Sequence, residues 1–229
     1  MNKLVNYLQH SHKKNSLNPV GERYFSGLRV EIEHPVQPGV NLEGCFSYVF
    51  DSMPKVFYSK VKQVKIGQFP FLKSRQVEAI YKDGTIYLTS SHENNHSVIS
   101  DLVHEIAHSF EEDKSNEIYG DKSIKNEFLS KREKLYYSLE SFGLVNYPIL
   151  KKDFFEITCT RKFDEYLYST VGYDKIHQIG MSLFISPYAA TCLREYFANA
   201  FENFFINDIN VVKKLSPNIY NKILSYLEF

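Results

Sequence analysis

The junction near residue 90 constrains the fold more than any other stretch. "QVEAIYKDGTIYLTS" (76–90) places two β-rich runs on either side of Asp83-Gly84. That residue pair suits the left-handed backbone of a type I′ hairpin turn. A helical pattern follows at once, with Val98, Ile99, Leu102, Val103, Ile106, Ala107 and Phe110 recurring as one apolar stripe. Upstream, "YFSGLRVEIE" (24–33) ends in a strand alternation that Pro35, Pro38 and Gly39 break, and "KQVKIG" (62–67) alternates as a second strand. In "DSMPKVFYSKV" Ser52 can cap a helix whose first turn holds Pro54. Downstream the patterns are helical. Residues 121–180 read as irregular helices broken at Gly143 and Pro148 and again at Gly172. "SPYAATCLREYFANAFENFFIND" (186–208) reads as a strong helix beginning near Tyr188. A last helix has Ser216 as cap, Pro217 in its first turn, and Ile219, Tyr220, Ile223, Leu224 and Leu227 on one face. Strands in the first 90 residues and helices after them predict an α+β fold rather than a doubly wound sheet.

Length and composition narrow the classes. A chain of 229 residues with 43% hydrophobic residues can bury one core, so a single domain in two lobes is expected. The lobes are a sheet-containing 1–112 and a helical 113–229. Lys+Arg and Asp+Glu both number 27, so no overall basic field argues for nucleic acid. The N-terminal "MNKLVNYLQHSHKKN" lacks an uninterrupted apolar core of the signal-peptide kind, and Leu4, Val5, Tyr7 and Leu8 suit a short amphipathic helix. No run approaches the length of a membrane span. Three cysteines, Cys45, Cys159 and Cys192, are too few and of the wrong parity for a disulfide framework. The expectation is a cytoplasmic monomer without nucleic-acid or membrane partners, acting elsewhere only if a specialised route delivers it.

The chemistry lies in "DLVHEIAHSFEED" (101–113), which contains His104, Glu105 and His108 as H-E-x-x-H. Residues four apart share a helix face, so both imidazoles can meet one ion. Glu105 sits one residue round, where a general base for a zinc-activated water belongs. The competing interpretation is an ordinary amphipathic helix with a structural histidine pair. Apolar Ile106 and Ala107 between the histidines argue against a solvated face. The other histidines, His10, His12, His34, His92, His96 and His177, lack ligand spacing and read as surface or cap residues, His96 being nearest the motif. Glu202 reads as a solvated or capping carboxylate.

A catalytic zinc needs a third protein ligand. The metzincin extension fails, because Glu111 stands where that motif has Gly and Lys114 where it has His. Three candidates remain. Cys45 lies in "EGCFS", which resembles the E-G-C-L-S stretch of peptide deformylases, although Ala107 replaces their usual Asp in the helix motif. Cys192 stands one turn before Glu195. Glu195 lies in "REYFANAF".

"SPYAATCLREYFANAF" resembles the second active-site helix of the anthrax lethal factor catalytic domain and its small relatives, the Pro-Pro endopeptidases among them. Their helix reads approximately E-[FY]-F-A-E-[AS]-[FY]. The resemblance extends over residues 50–112 and 183–206, with helix, strand, hairpin and H-E-x-x-H helix in the same order. It implies a zincin-like fold and a zinc endopeptidase of the gluzincin type acting on peptide or protein substrates. His104, His108 and Glu195 would be the zinc ligands, Glu105 the base, and Tyr188 an oxyanion donor. Two departures stand out. Residues 115–180 look like an inserted helical region, and Asn199 occupies the position of the family's second Glu. The readings from other classes are a deformylase-like metal amidase using Cys45 and an inactive zincin-fold binding protein. A peptide is expected to add as a strand to 85–90, taken as the rim of the cleft.

Overall fold

A computed structural model describes residues 20–180 and 183–227. The amphipathic helix expected around Leu4–Leu8, with His10 and His12, lies outside the described residues. The fold is mixed α+β. It divides into two compact units, one running up to Asp113 and including Phe205–Asn207, the other comprising Lys114–Phe204 and the chain from Asp208 onward. No helix among the described residues is long and apolar enough to cross a membrane.

The first unit is built on a five-stranded sheet: β1 (Gly21–Phe25), β2 (Leu28–Ile32), β3 (Gln63–Gly67), β4 (Ala79–Lys82) and β5 (Thr85–Thr89). Their order is β1-β2-β3-β5-β4, with β2, β3 and β5 parallel and both edges antiparallel. The Asp83-Gly84 turn forms as expected, with φ of 52° and 82°. The alternation that ends the stretch 24–33 is β2, and its start belongs to β1. Ser26 and Gly27 both take positive φ and reverse the chain between β1 and β2. Strand 85–90 is not a rim. β5 is paired on both sides, by β3 and β4, so the edge left for an added strand at that end of the sheet is β4.

Helix α1 (Leu42–Ser52) precedes the segment where Ser52 was expected to start a helix. The Asn41 side chain accepts from Gly44 N–H at 3.0 Å and caps it. Ser52 ends it, and only a single 3₁₀ turn, Lys55–Phe57, follows Pro54. A short α2 (Pro70–Arg75) connects β3 to β4. Helix α3 (Asn95–Tyr119) carries the histidine motif and has a non-helical residue at Lys114 (φ −112°), where the first unit ends. Every residue of its expected stripe is buried, and Phe110 meets Phe57 edge-on with ring centroids 4.9 Å apart. Leu42 of α1, Ile66 and Leu88 of the sheet, and Val98 of α3 line one small apolar space, so these layers share a core.

The second unit is helical: α4 (Ser123–Ser141), α5 (Arg161–Glu165) running into a π-helical stretch (Tyr166–Val171), α6 (Tyr173–Gly180), α7 (Leu193–Ile206), α8 (Ile209–Leu215) and α9 (Pro217–Leu227). The breaks expected at Gly143–Pro148 and Gly172 are present. The 186–208 segment differs from expectation at its start. Tyr188 lies in a separate 3₁₀ turn, Tyr188–Ala190, and α7 begins only at Leu193. α4 carries Phe128 and Arg132 into the core, where Phe128 stacks near Tyr196 of α7 (5.4 Å). Glu127 ties α7 to α9, accepting from Tyr196 Oη at 2.5 Å and from the Asn218 side-chain amide at 2.8 Å.

Candidate metal centre

On α3 the rings of His104 and His108 stand 4.9 Å apart by centroid, nearly perpendicular, as the one-turn spacing requires. His104 is partly exposed, and His108 is buried at 5% exposure. Glu111 is within ion-pair range of His108, its Oε2 lying 3.7 Å from Nδ1. A carboxylate on that side of an imidazole orients the ring and raises its basicity. Sequence reasoning used Glu111 only to exclude an extended motif. Its i, i+3 spacing from His108 was the signal that could have found it.

Glu105 is 7% exposed, and its Oε2 accepts the backbone N–H of Tyr81 on β4 at 2.5 Å. This fixes the carboxylate against the edge strand. In the β4–β5 ladder Ile80 faces Tyr87 and Lys82 faces Thr85. The Tyr81 amide therefore turns to the outer side of β4, which the sheet leaves unpaired.

His92 was expected on the surface, yet only 3% of it is exposed. Its Nδ1 meets the Thr89 carbonyl at 2.8 Å and its Nε2 meets Asp101 Oδ2 at 2.8 Å. A carbonyl cannot donate, so Nδ1 carries the hydrogen, and a second hydrogen on Nε2 completes a bridge from β5 to α3. Burial pulls its pKa down, but the Asp101 hydrogen bond and charge, the Thr89 carbonyl and Glu78 outweigh it, so the net shift is upward. His34, His96 and His177 are exposed, as expected.

In the second unit Glu195 lies in the first turn of α7 and is 9% exposed. Asp164 lies near it. Burial raises the Asp164 carboxyl, and the charge of Glu195 raises it further. Asn199, one turn on, is equally buried, and its Oδ1 has no hydrogen-bond partner among the described residues. Tyr188 is 37% exposed. The start of α7 is held from behind. The buried Arg132 guanidinium donates to Ala190 O (2.7 Å), Thr191 O (3.0 Å) and Asp153 O (2.7 Å), and it stacks 3.8 Å from the Phe163 ring centroid. Leu193 N–H donates to Ile157 O at 3.0 Å. Cys159 and Cys192 form a disulfide with Cα atoms 4.9 Å apart. The cysteines read as arguing against a disulfide framework, and one bond forms all the same. The parity argument missed the bond because one pair can form beside one free cysteine.

Among the described residues two sets of side chains, each within one unit, bring their ligand atoms within 4.8 Å of one another: Cys159, Cys192 and Glu195; and Glu78, His92 and Asp101. Cys45 is in neither of them. It sits on α1, fully buried, with Sγ 3.6 Å from the Asn95 carbonyl, and burial pushes its thiol up to about 12. A thiol in that environment is a small apolar core residue rather than a ready metal ligand. Comparison with family models, curated proteins and solved structures finds no match to this chain.

Proposed function

We propose that the chain is a zinc-dependent endopeptidase of the gluzincin type with a zincin-like fold. His104, His108 and Glu195 hold the ion, and the similarity of "REYFANAF" to lethal-factor-type peptidases points the same way. The observation that carries the reading is the His104–His108 pair one helical turn apart, ring centroids 4.9 Å from each other, with the buried Glu105 carboxylate beside it. Two imidazoles and a carboxylate suit zinc and leave one coordination position open. When bound, zinc supplies Lewis acidity and acidifies water. The chain's own groups do the rest. Glu105 takes the proton of the attacking water and hands it to the leaving amine. Its hydrogen bond to Tyr81 N–H anchors Oε2. The Tyr188 hydroxyl donates to the developing oxyanion. Glu111 orients His108. An extended substrate lies along the outer edge of β4 beside Tyr81, whose own N–H is held by Glu105, and draws affinity from main-chain hydrogen bonds to the rest of that edge. We also infer a cytoplasmic location.

The test is a peptide-library digest by purified full-length protein, with and without chelator, alongside Glu105→Gln. Cleavage that chelation stops and zinc restores supports the reading. No cleavage by zinc-loaded protein across the library sinks it.

A further inference from the structure

We propose that reduction of the Cys159–Cys192 disulfide opens a second metal site, made of both thiolates and the Glu195 carboxylate, that takes a soft divalent cation. Both sulfurs and a Glu195 oxygen already lie within 4.8 Å of one another. Cys192 immediately precedes α7, its carbonyl accepts the Tyr196 N–H at 3.0 Å, and it stands three residues before Glu195, so the helix start brings the two close. Two thiolates and one carboxylate form a donor set that favours zinc over magnesium or calcium.

The cysteines do not depend on their mutual bond for their places. Leu193 N–H holds the Ile157 carbonyl, two residues before Cys159. Arg132 holds carbonyls on both sides, Asp153 before Cys159 and Ala190 and Thr191 before Cys192. The Thr160 hydroxyl caps α5 right after Cys159. Reduction therefore leaves two thiols side by side instead of releasing a loop. Access is one-sided, since Cys159 is exposed and Cys192 is fully buried. A dithiol reductant attacks Cys159 Sγ as its thiolate, the S–S bond breaks, and Cys192 leaves as a thiolate. The second reductant thiolate then attacks the mixed disulfide and releases Cys159. The reductant loses two electrons and becomes a cyclic disulfide, while the cysteine pair gains them. The two protons of the reductant's thiols go to solvent when a cation takes the cysteine thiolates, and to the sulfurs when none does.

On the peptidase reading Glu195 also serves the histidine pair, so one carboxylate cannot serve both ions fully. In the reduced chain the thiolates draw the ion and Glu195 toward themselves. The competition alone rests on the peptidase reading, and the thiolate site does not.

Cobalt(II) reports the site without any assay of activity. The full-length His104→Ala variant, which lacks the histidine pair, is titrated with Co2+ as purified in the oxidised form. It is titrated again after reduction by a dithiol that is then removed anaerobically. We expect the reduced form to bind about one Co2+ per chain with a thiolate-to-cobalt charge-transfer band, and the oxidised form to show no such band. Adding Cys159→Ser should abolish the band, and adding Cys45→Ala should leave it. The unsubstituted chain, titrated in both redox states, should gain the same band on reduction, which removes any dependence on how the variants fold. Absence of the band from reduced unsubstituted protein overturns the proposal. So does a band that survives Cys159→Ser with Cys192→Ser. Should the oxidised natural chain hold no zinc while the reduced chain shows the band, the peptidase reading falls and the thiolate site stands.

Discussion

The helix segment that carries His104, Glu105 and His108 and the helix start that carries Glu195 are fixed by different physics. α3 is held along its length by apolar burial. Val98, Ile99, Leu102, Val103, Ile106, Ala107 and Phe110 all lie inside, and at roughly 1.5–3 kcal/mol for each large apolar side chain no single contact decides the position. The first turn of α7 is instead held by a few strong polar contacts from distant sequence, namely three carbonyls on Arg132, one backbone hydrogen bond to Ile157, and the bond to Cys159. A many-contact anchor degrades gradually under substitution. A few-contact anchor fails at one residue. The histidine side of the proposed centre should therefore tolerate conservative core changes, and the glutamate side should be sensitive to a single residue far from it in sequence.

The largest effect should come from the catalytic group itself. Glu105→Gln keeps the Tyr81 amide contact in shape but cannot accept a proton, so turnover should fall about 10²–10⁴-fold with zinc content unchanged. His104→Ala and Glu195→Ala should each lose tight zinc binding, measured by metal analysis after dialysis. Undiminished zinc in either variant would break the three-ligand assignment.

Arg132 sharpens the comparison most directly. Arg132→Met keeps apolar bulk among Phe128, Phe154 and Phe163 but leaves the Ala190, Thr191 and Asp153 carbonyls without their donor. With about 1–3 kcal/mol for each buried group left unsatisfied, a loss on the order of 3 kcal/mol in denaturant unfolding is expected, together with weaker zinc retention. Ile106→Val on α3 should cost only about 1 kcal/mol and leave zinc in place. Equal zinc loss in both variants would erase the distinction between the two anchors.

The same contrast explains what could be read from the sequence. The Asp83-Gly84 hairpin and the α3 stripe are local patterns with periods of two and 3.6, and both are where the sequence placed them. Helix α1 was equally legible and was missed. Asn41 is a cap, and Leu42, Cys45, Phe46, Val49 and Phe50 recur at helical spacing, but Ser52 and Pro54 drew the start signal downstream. The β1–β2 turn was missed because Ser26 adopts a left-handed conformation in which serine is uncommon. Arg132 could not be found at all. It lies in the charged run "KREK", which reads as a solvated helix face, and only the tertiary fold turns it inward. The partnership of Cys159 with Cys192 is non-local in the same way. His104, Glu105 and His108 could be proposed from spacing, whereas Glu195 needed a family resemblance, because no rule of periodicity links positions so far apart.

A polar clamp also exists in the first unit, and its charge makes it testable by pH. His92 bridges Thr89 and Asp101 with a pKa raised above its ordinary 6.5. A group whose folded pKa is raised stabilises the fold fully below its unfolded pKa and loses that contribution as pH climbs through the folded value. The natural chain should thus exceed His92→Gln in stability by about 2 kcal/mol under mildly acidic conditions, the scale of a hydrogen bond to a charged group. The gap should narrow as the pH is raised past the folded pKa. Urea unfolding of both proteins across that range is the measurement, and a gap that widens with pH would show that His92 is neutral in the fold.

Cys45→Ala should have the smallest effect and tests whether the apolar anchor works alone. The thiol is fully buried on α1, shares no ligand set with the histidines, and makes one weak contact, from Sγ to the Asn95 carbonyl at 3.6 Å. Replacing sulfur by hydrogen removes a small volume from a packed layer, at a cost of about 1 kcal/mol in unfolding free energy. Asn95 begins α3, so the relaxation is felt at the helix's first turn, more than two turns before His104. The apolar stripe between them should absorb it, leaving zinc content and turnover at the level of the natural chain. Lost zinc in Cys45→Ala with zinc retained in Glu195→Ala would instead make the thiol the third ligand. The centre would then be of the deformylase-like kind, and α7 would have no part in it.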